Sequence, residues 1–245
     1  MAEGEDTPRP ESAGLLLYCI VNASSSPPGE GLGVYGGALR WVSHGGLVAV
    51  VSPIAEPSRL AAPTTAELLD YERVIRAHHA VADVVPMRFG SMLADEAAVR
   101  AHLDAQQAVY QRALERVAGC VELGVRLLVS PPDSPATPEA PPKQEIRSGA
   151  SYLKALQRRH SAESRLRDHC AALEQALVSK VAPLCREHRM ELAPPRPGEP
   201  VLCSLYFLVP RGQVPLFHAA LSANAAGDST PAAVSGPWPP FNFVD

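Results

Sequence analysis

No C-x-x-C pair, no apolar stretch near membrane length and no excess of basic charge occurs in these 245 residues. The five cysteines, Cys19, Cys120, Cys170, Cys185 and Cys203, are odd in number and widely spaced. That usage fits buried free thiols in a reducing cytosol, not a disulfide framework. The apolar run 15–21 is seven residues long, against about 20 for a membrane-spanning helix. The first ten residues are acidic and lack the basic start of a secretory leader, so neither export nor membrane insertion is expected. Lys and Arg total 22 against 26 Asp and Glu, a net charge of −4. This mild negative balance argues against nucleic acid, whose phosphates select basic surfaces. What is present is globular: 46% apolar and 20% charged residues, enough for one large domain or two smaller ones.

Catalytic signatures are also missing. There is no G-x-S-x-G, no phosphate-binding P-loop, no H-E-x-x-H and no EF-hand loop. Gly31-Leu-Gly33-Val-Tyr-Gly36 matches G-x-G-x-x-G, but no helix start follows Gly36. A dinucleotide loop needs that helix N-terminus for the pyrophosphate. The loop reads instead as a glycine-rich turn before a strand. Cys185-x-x-His188, with His169-Cys170 upstream, has a zinc-like spacing. His169 and Cys170 are neighbours on a helix and diverge by about 100°, so four ligands do not converge. His78, on the inner stripe of a helix, reads as a satisfied or half-exposed core histidine. Arg158, Arg159, Arg165 and Arg167 alternate with Glu163 and Asp168, a solvated helix face. We therefore expect no catalytic residue, no metal and no cofactor.

Along the chain, residues 1–13 read as a flexible tail. Gly14–Asn22 (GLLLYCIVN) is continuously apolar, as a buried central strand should be. Residues 38–43 and 47–52 read as a hairpin about Gly45-Gly46. Thr64 and Glu67 have capping-box spacing, and Leu68, Tyr71, Ile75, His78 and Ala82 follow at helical period. Residues 84–90 (VVPMRFG) read as a short extended piece. A second helix capped by Asp95 has Val99, Leu103, Gln106, Tyr110, Ala113 and Val117 inside and stops at Gly119. Residues 121–130 give the next strand. Helices on one face of a mainly antiparallel sheet make an α+β plan resembling a ferredoxin-like sandwich with an added hairpin.

Residues 131–146 hold six prolines in sixteen positions, a composition for an extended linker. We place the domain boundary there, with one domain over 14–130 and a second α+β domain over 147–245. The second opens with a long helix. Leu166, Cys170, Leu173, Leu177, Val181 and Leu184 form a narrow apolar seam along it, fit for a coiled-coil-like or hairpin contact, with a break near Ala182 imposed by Pro183. A strand over 202–209, a helix over 214–225 and a last strand over 230–235 complete the reading.

Two segments carry candidate interaction residues. Pro86-Met-Arg-Phe-Gly90 sets Arg88 and Phe89 among apolar neighbours. Residues 236–243 (GPWPPFNF) combine three prolines with Trp238, Phe241 and Phe243. A backbone already held extended by proline loses little entropy when such rings dock. The rings suit either a lid on their own domain, the reading we favour, or a partner-binding edge.

With these segments the chain resembles the gas vesicle protein GvpL/GvpF family. The matching stretches are GVYGGALRWVSHGGLVAVVSPI (33–54), VVPMRFGSMLADEAAV (84–99), VELGVRLL (121–128), SGASYLKALQRR (148–159) and GPWPPFNFV (236–244). The resemblance implies two α+β domains, the first a modified ferredoxin-like fold and the second with long paired helices. It implies a non-catalytic accessory protein of gas vesicle assembly, associated with gas vesicles in the cytoplasm. Its implied partners are the apolar shell protein GvpA and other accessory vesicle proteins, with no nucleic acid and no lipid membrane. Departures are the long proline-rich linker, Gly212 and Pro215 at the start of a helix, and Asn242 where serine is expected. The alternatives are a small-ligand sensor on a ferredoxin-like fold and, behind it, an enzyme without a known motif.

Overall fold

The computed structural model describes residues 13–25, 31–129, 149–194, 200–222 and 232–244. The expected linker over 131–146, and all of the expected tail but residue 13, lie outside these residues. The chain forms two compact units, residues 1–121 with 238–245, and residues 122–237.

The first unit contains β1 (Gly14–Asn22), β2 (Arg40–His44), β3 (Leu47–Ile54), α1 (Thr65–His79), β4 (Val85–Pro86), β5 (Met92–Leu93), α2 (Glu96–Ala105) and α3 (Gln107–Val117). Its antiparallel sheet runs β2-β3-β1-β4, and β5 also pairs with β1. The apolar run of β1 is explained by its central place, buried on both faces.

That double burial corrects the expectation of helices on one face only. Leu15, Leu17 and Ile20 pack with Val99, Leu103, Tyr110 and Leu114 of α2 and α3. Leu16, Tyr18, Cys19 and Val21 pack with Tyr71, Val74 and Ile75 of α1. The pairing with β3 skips a residue between Leu17 and Cys19. This bulge puts Tyr18 and Cys19 on the same side, and side chains beyond it change face by one position. A sheet so enclosed needs apolar residues at every position of its middle strand, which is what residues 15–21 supply.

Local signals behave as read. Glu67 accepts from the Thr64 N–H at 2.7 Å and Thr64 Oγ1 accepts from the Glu67 N–H at 3.3 Å, closing the capping box of α1. Gly45 and Gly46 have φ of 57° and 83°, the positive pair that a two-residue hairpin turn requires. Asp95 caps α2 by accepting from the Ala98 N–H at 2.8 Å. The single helix expected after Asp95 is two, broken at Gln106, where the backbone leaves helical geometry at φ −108° and ψ 8°. The predicted inner stripe survives the break, because Val99, Leu103, Tyr110, Ala113 and Val117 are all buried.

The second unit contains α4 (Gly149–Val181), β7 (Glu187–Leu192), β8 (Val201–Pro210), α5 (Val214–Ser222) and β9 (Ala232–Trp238). Its sheet runs β7-β8-β6-β9, where β6 is Cys120–Val129. Read in the sequence as the last strand of the domain over 14–130, β6 lies in this second sheet, between β8 and β9. Sequence neighbours usually pair, and here a nonlocal pairing wins. The strand β7 was not anticipated: EHRMEL is charged and short, as suits the edge position it takes.

The helix α4 runs 33 residues and stops at Val181, one residue before the break expected from Pro183. On its seam, Leu166, Cys170 and Val181 are buried. The Cys170 thiol meets that of Cys203 on β8, and α4 also packs on α5. At Cys170 the seam thus packs on the sheet. Phe217 of α5 meets Phe207 of β8 with ring centroids 5.2 Å apart.

Candidate functional site

The segment Pro86–Gly90 is built into the first unit by Tyr71. Its hydroxyl lies 2.7 Å from the Leu17 carbonyl, 3.0 Å from that of Arg88 and 3.1 Å from that of Met87. One proton serves these three acceptors, so Leu17, the nearest, takes the main bond. The Phe89 ring meets Tyr71 edge-on at 5.2 Å, and Tyr71 stacks on Tyr18 at 4.9 Å. Pro86 pairs with Cys19 in the sheet, and the Met87 N–H donates to the Tyr18 carbonyl at 2.8 Å. Met87 packs with the α2/α3 cluster and Phe89 with the α1 cluster. Arg88, between them, is exposed. The alternation explains the motif: each apolar neighbour enters a different core, and the arginine is left at the surface.

The C-terminal aromatics belong to the same unit. Arg76 of α1 lies over the Trp238 ring, 4.8 Å from its centroid. Pro239 and Pro240 are buried, Phe243 is fully buried, and Val244 packs with the α2/α3 cluster. The short turn Phe241–Phe243 also contacts α3. The segment thus contacts α1 and α3, which cover opposite faces of the sheet. Phe243, grouped in the sequence with a candidate surface, is therefore corrected to a core residue. Phe241 stays exposed, and Trp238 is half-buried.

The two segments thus share one support without touching one another in any described contact. Both anchor on α1, Pro86–Gly90 through Tyr71 and the terminus through Arg76. Five residues apart, these anchors differ by about 140° around the helix. Arg76 was missed in the sequence because it lies off the apolar stripe, and only a distant ring gives it a role.

The remaining chemical candidates are occupied within the chain. His78 Nδ1 donates to the Val74 carbonyl at 2.8 Å, and its Nε2 accepts from the Trp41 indole N–H at 3.3 Å. Burial holds its pKa below the usual histidine range, partly opposed by the bond to Val74. His79 Nε2 donates to the Cys120 carbonyl at 3.1 Å, and His102 bonds the Tyr110 hydroxyl at 2.6 Å. His188 pairs with Glu174 at 3.4 Å, apart from any convergence with Cys185. Among the described residues, no group of three or more His, Cys, Asp or Glu is placed to hold a metal.

The glycine-rich loop is a tight turn closed on itself. Gly33 N–H donates to the Gly37 carbonyl at 2.8 Å, and Leu32 bridges Ala38. The Val34 N–H donates to the buried Tyr18 hydroxyl at 2.9 Å, which also bonds Ser52 at 2.8 Å. A Cβ on Gly33 would stand 2.8 Å from the Ser52 Cβ. Glycine here serves close packing, not a ligand.

The fold defines a mixed α/β protein with antiparallel sheets, whose motifs build cores and leave Arg88 and Phe241 exposed. Residues 14–245 match the family described as gas vesicle synthesis protein GvpL/GvpF. The chain belongs to that family, and its role is connected with gas vesicles. It is 31% identical to gas vesicle protein L of Streptomyces sp. strain CB03234, over 93% of this chain and 91% of the relative. It is 27% identical to gas vesicle protein F2 of Halobacterium salinarum, over 94% of this chain and 92% of that one. The fold matches the crystal structure of GvpF from Anabaena sp. PCC7120 with a TM-score of 0.72 at 18% identity, covering 96% of this chain and 97% of that one. GvpF from Microcystis aeruginosa matches with 0.74 at 14% identity, over 96% of this chain and all of the other. No described helix is long and apolar enough to cross a membrane.

Proposed function

We propose that this protein is a non-catalytic accessory factor of gas vesicle assembly, acting at gas vesicles in the cytoplasm. In this reading it binds the apolar shell protein GvpA and other accessory vesicle proteins. The family match over residues 14–245 is the observation that carries the reading. Physical chemistry supplies the reason for such a factor. An apolar shell subunit exposes sheet edges and patches that aggregate before they assemble. A partner that covers them keeps the subunit available. The histidines described above are bound within the chain, which favours a binding role over a catalytic one. Arg88 and Phe241 are the charged and aromatic members of the two motif segments left exposed, and we assign them to contact with a partner.

The test is capture of GvpA from the same cell by the full chain, beside Arg88→Glu and Phe241→Ala. Both changes are at exposed positions and leave the core intact. Capture by the parent, weakened in either variant, supports the reading. If the parent neither retains GvpA nor slows its aggregation at equimolar ratio, direct shell binding is wrong.

A further inference from the structure

The strand β2 ends the first sheet, and its hairpin determines which backbone groups face outward. The two-residue turn over Gly45 and Gly46 makes His44 and Leu47 a hydrogen-bonded pair. Pairs then alternate, so Val42 with Ala49 is bonded, while Ser43 with Val48 and Trp41 with Val50 are not. The N–H and C=O of Trp41 and Ser43 therefore point away from β3. Among the described residues they have no other hydrogen-bond partner.

The same two residues line a cavity of about 200 Å³. Its floor is one row across three strands, Val21, Val48 and Ser43, which lie side by side in register. The end of α1 and the turn after it form a wall through His78 and Ala82. No lining residue carries a charge, because His78 is held neutral by its bonds to Val74 and Trp41. The volume falls below the ~300–1,000 Å³ of ligand pockets and suits a single side chain. The polar side chains at the two ends of β2 face elsewhere: Arg40 pairs with Glu96 at 3.9 Å and His44 bonds Asp104 at 3.1 Å, both on α2. By contrast β7, the edge of the other sheet, carries Glu187, His188, Arg189 and Glu191, the usual protection of an exposed edge.

We propose that β2 is a docking edge for an extended, uncharged segment of a partner protein. The segment adds as a strand through the main chain of Trp41 and Ser43, and seats one apolar side chain in the cavity beside them. Main-chain bonds give such an addition its affinity, and the pocket gives it selectivity. A charged side chain at that position would be buried without a partner, so it is rejected. This inference rests on the reading of the chain as a binder of apolar vesicle proteins.

The probe is a six-residue peptide of alternating valine and threonine, titrated into the full chain carrying Trp238→Phe. Of the two tryptophans, Trp41 then reports alone. A saturable change in its emission is expected. Ser43→Pro removes an outward N–H without touching the β3 ladder, as edge strands tolerate. Ala82→Phe fills the cavity from within. Each variant that keeps the parent's circular dichroism should bind at least tenfold more weakly. Absence of a saturable change, or parental affinity in a folded variant, overturns the docking edge. A second arm measures GvpA capture by the parent and by Ser43→Pro. Equal capture overturns this edge while the assembly reading stands. Peptide binding without GvpA capture leaves the edge standing and removes direct shell binding.

Discussion

Arg76 and Trp238, 162 positions apart in sequence, meet as a cation over an aromatic face at 4.8 Å. Glu72 accepts from Arg76 Nε at 2.8 Å and so fixes the guanidinium on α1. The contact ties the end of the chain to its first unit, and Phe243 beyond it is fully buried. Phe243→Ala should lower the unfolding free energy by about 3–5 kcal/mol, the usual cost of a buried phenylalanine cavity. Phe241→Ala, at an exposed ring, should stay within about 0.5–1 kcal/mol. Urea titrations of both variants check this, and a larger loss for Phe241 would reverse the assignment of core and surface.

Much of the first unit was legible because its signals are local. The capping box at Thr64 and Glu67, the glycine pair at 45–46 and the unbroken apolar run of β1 each act within a few residues. Strand β6 was legible as a strand but not in its partners, since pairing with β8 and β9 depends on contacts far along the chain. Which of the terminal rings docks inward was hidden for the same reason: Phe241 and Phe243 beside the same prolines read alike in the sequence. The bulge at Tyr18 was hidden because both of its side chains are apolar. Of the motif Pro86–Gly90, the exposure of Arg88 and the inward packing of Phe89 could not be told apart from sequence, and Arg76 had no local signal at all.

The Tyr18 hydroxyl offers a sharper test of buried polar chemistry. It accepts from the Val34 N–H and shares a hydrogen bond with Ser52. Tyr18→Phe leaves the Val34 donor without its partner and should cost about 1–3 kcal/mol. Ser52→Ala keeps the Val34 bond and should cost less, about 1 kcal/mol. Gly33→Ala forces a methyl group against Ser52 and should exceed both, because backbone and sheet must part to admit it. Chemical denaturation of the three variants gives the order, and a harmless Gly33→Ala would show that the loop moves freely.

The cysteines predict a reactivity pattern. Cys19, Cys120, Cys170 and Cys203 are buried, and Cys185 is half-buried. Burial raises the Cys185 thiol above its ordinary pKa and pushes Cys203 to about 11. The thiolate is the reactive form, so even Cys185 should react slowly at neutral pH. A colorimetric thiol reagent should modify one group in the native protein, and all five after denaturation. Rapid modification of two or more native thiols would contradict the packing of α4 on β8.

His78 sets an acid limit on the first unit. Its Nδ1 proton is committed to the Val74 carbonyl, so Nε2 must stay unprotonated to accept from Trp41. A second proton would confront the indole N–H and place a charge in a buried site. Its pKa is therefore lower in the folded state than in the unfolded chain, with burial as the main cause. Above the unfolded value of about 6.5 both states are neutral and the contribution is complete. As pH falls below that value the unfolded chain takes the proton first, and stability declines until the folded pKa is reached. His78→Gln can keep both hydrogen bonds but cannot titrate, so its stability should be flatter over that window. Urea midpoints for parent and variant between about pH 7.5 and 5 measure the difference. An NMR titration placing the folded His78 at or above the unfolded value would reverse the sign and remove this acid sensitivity.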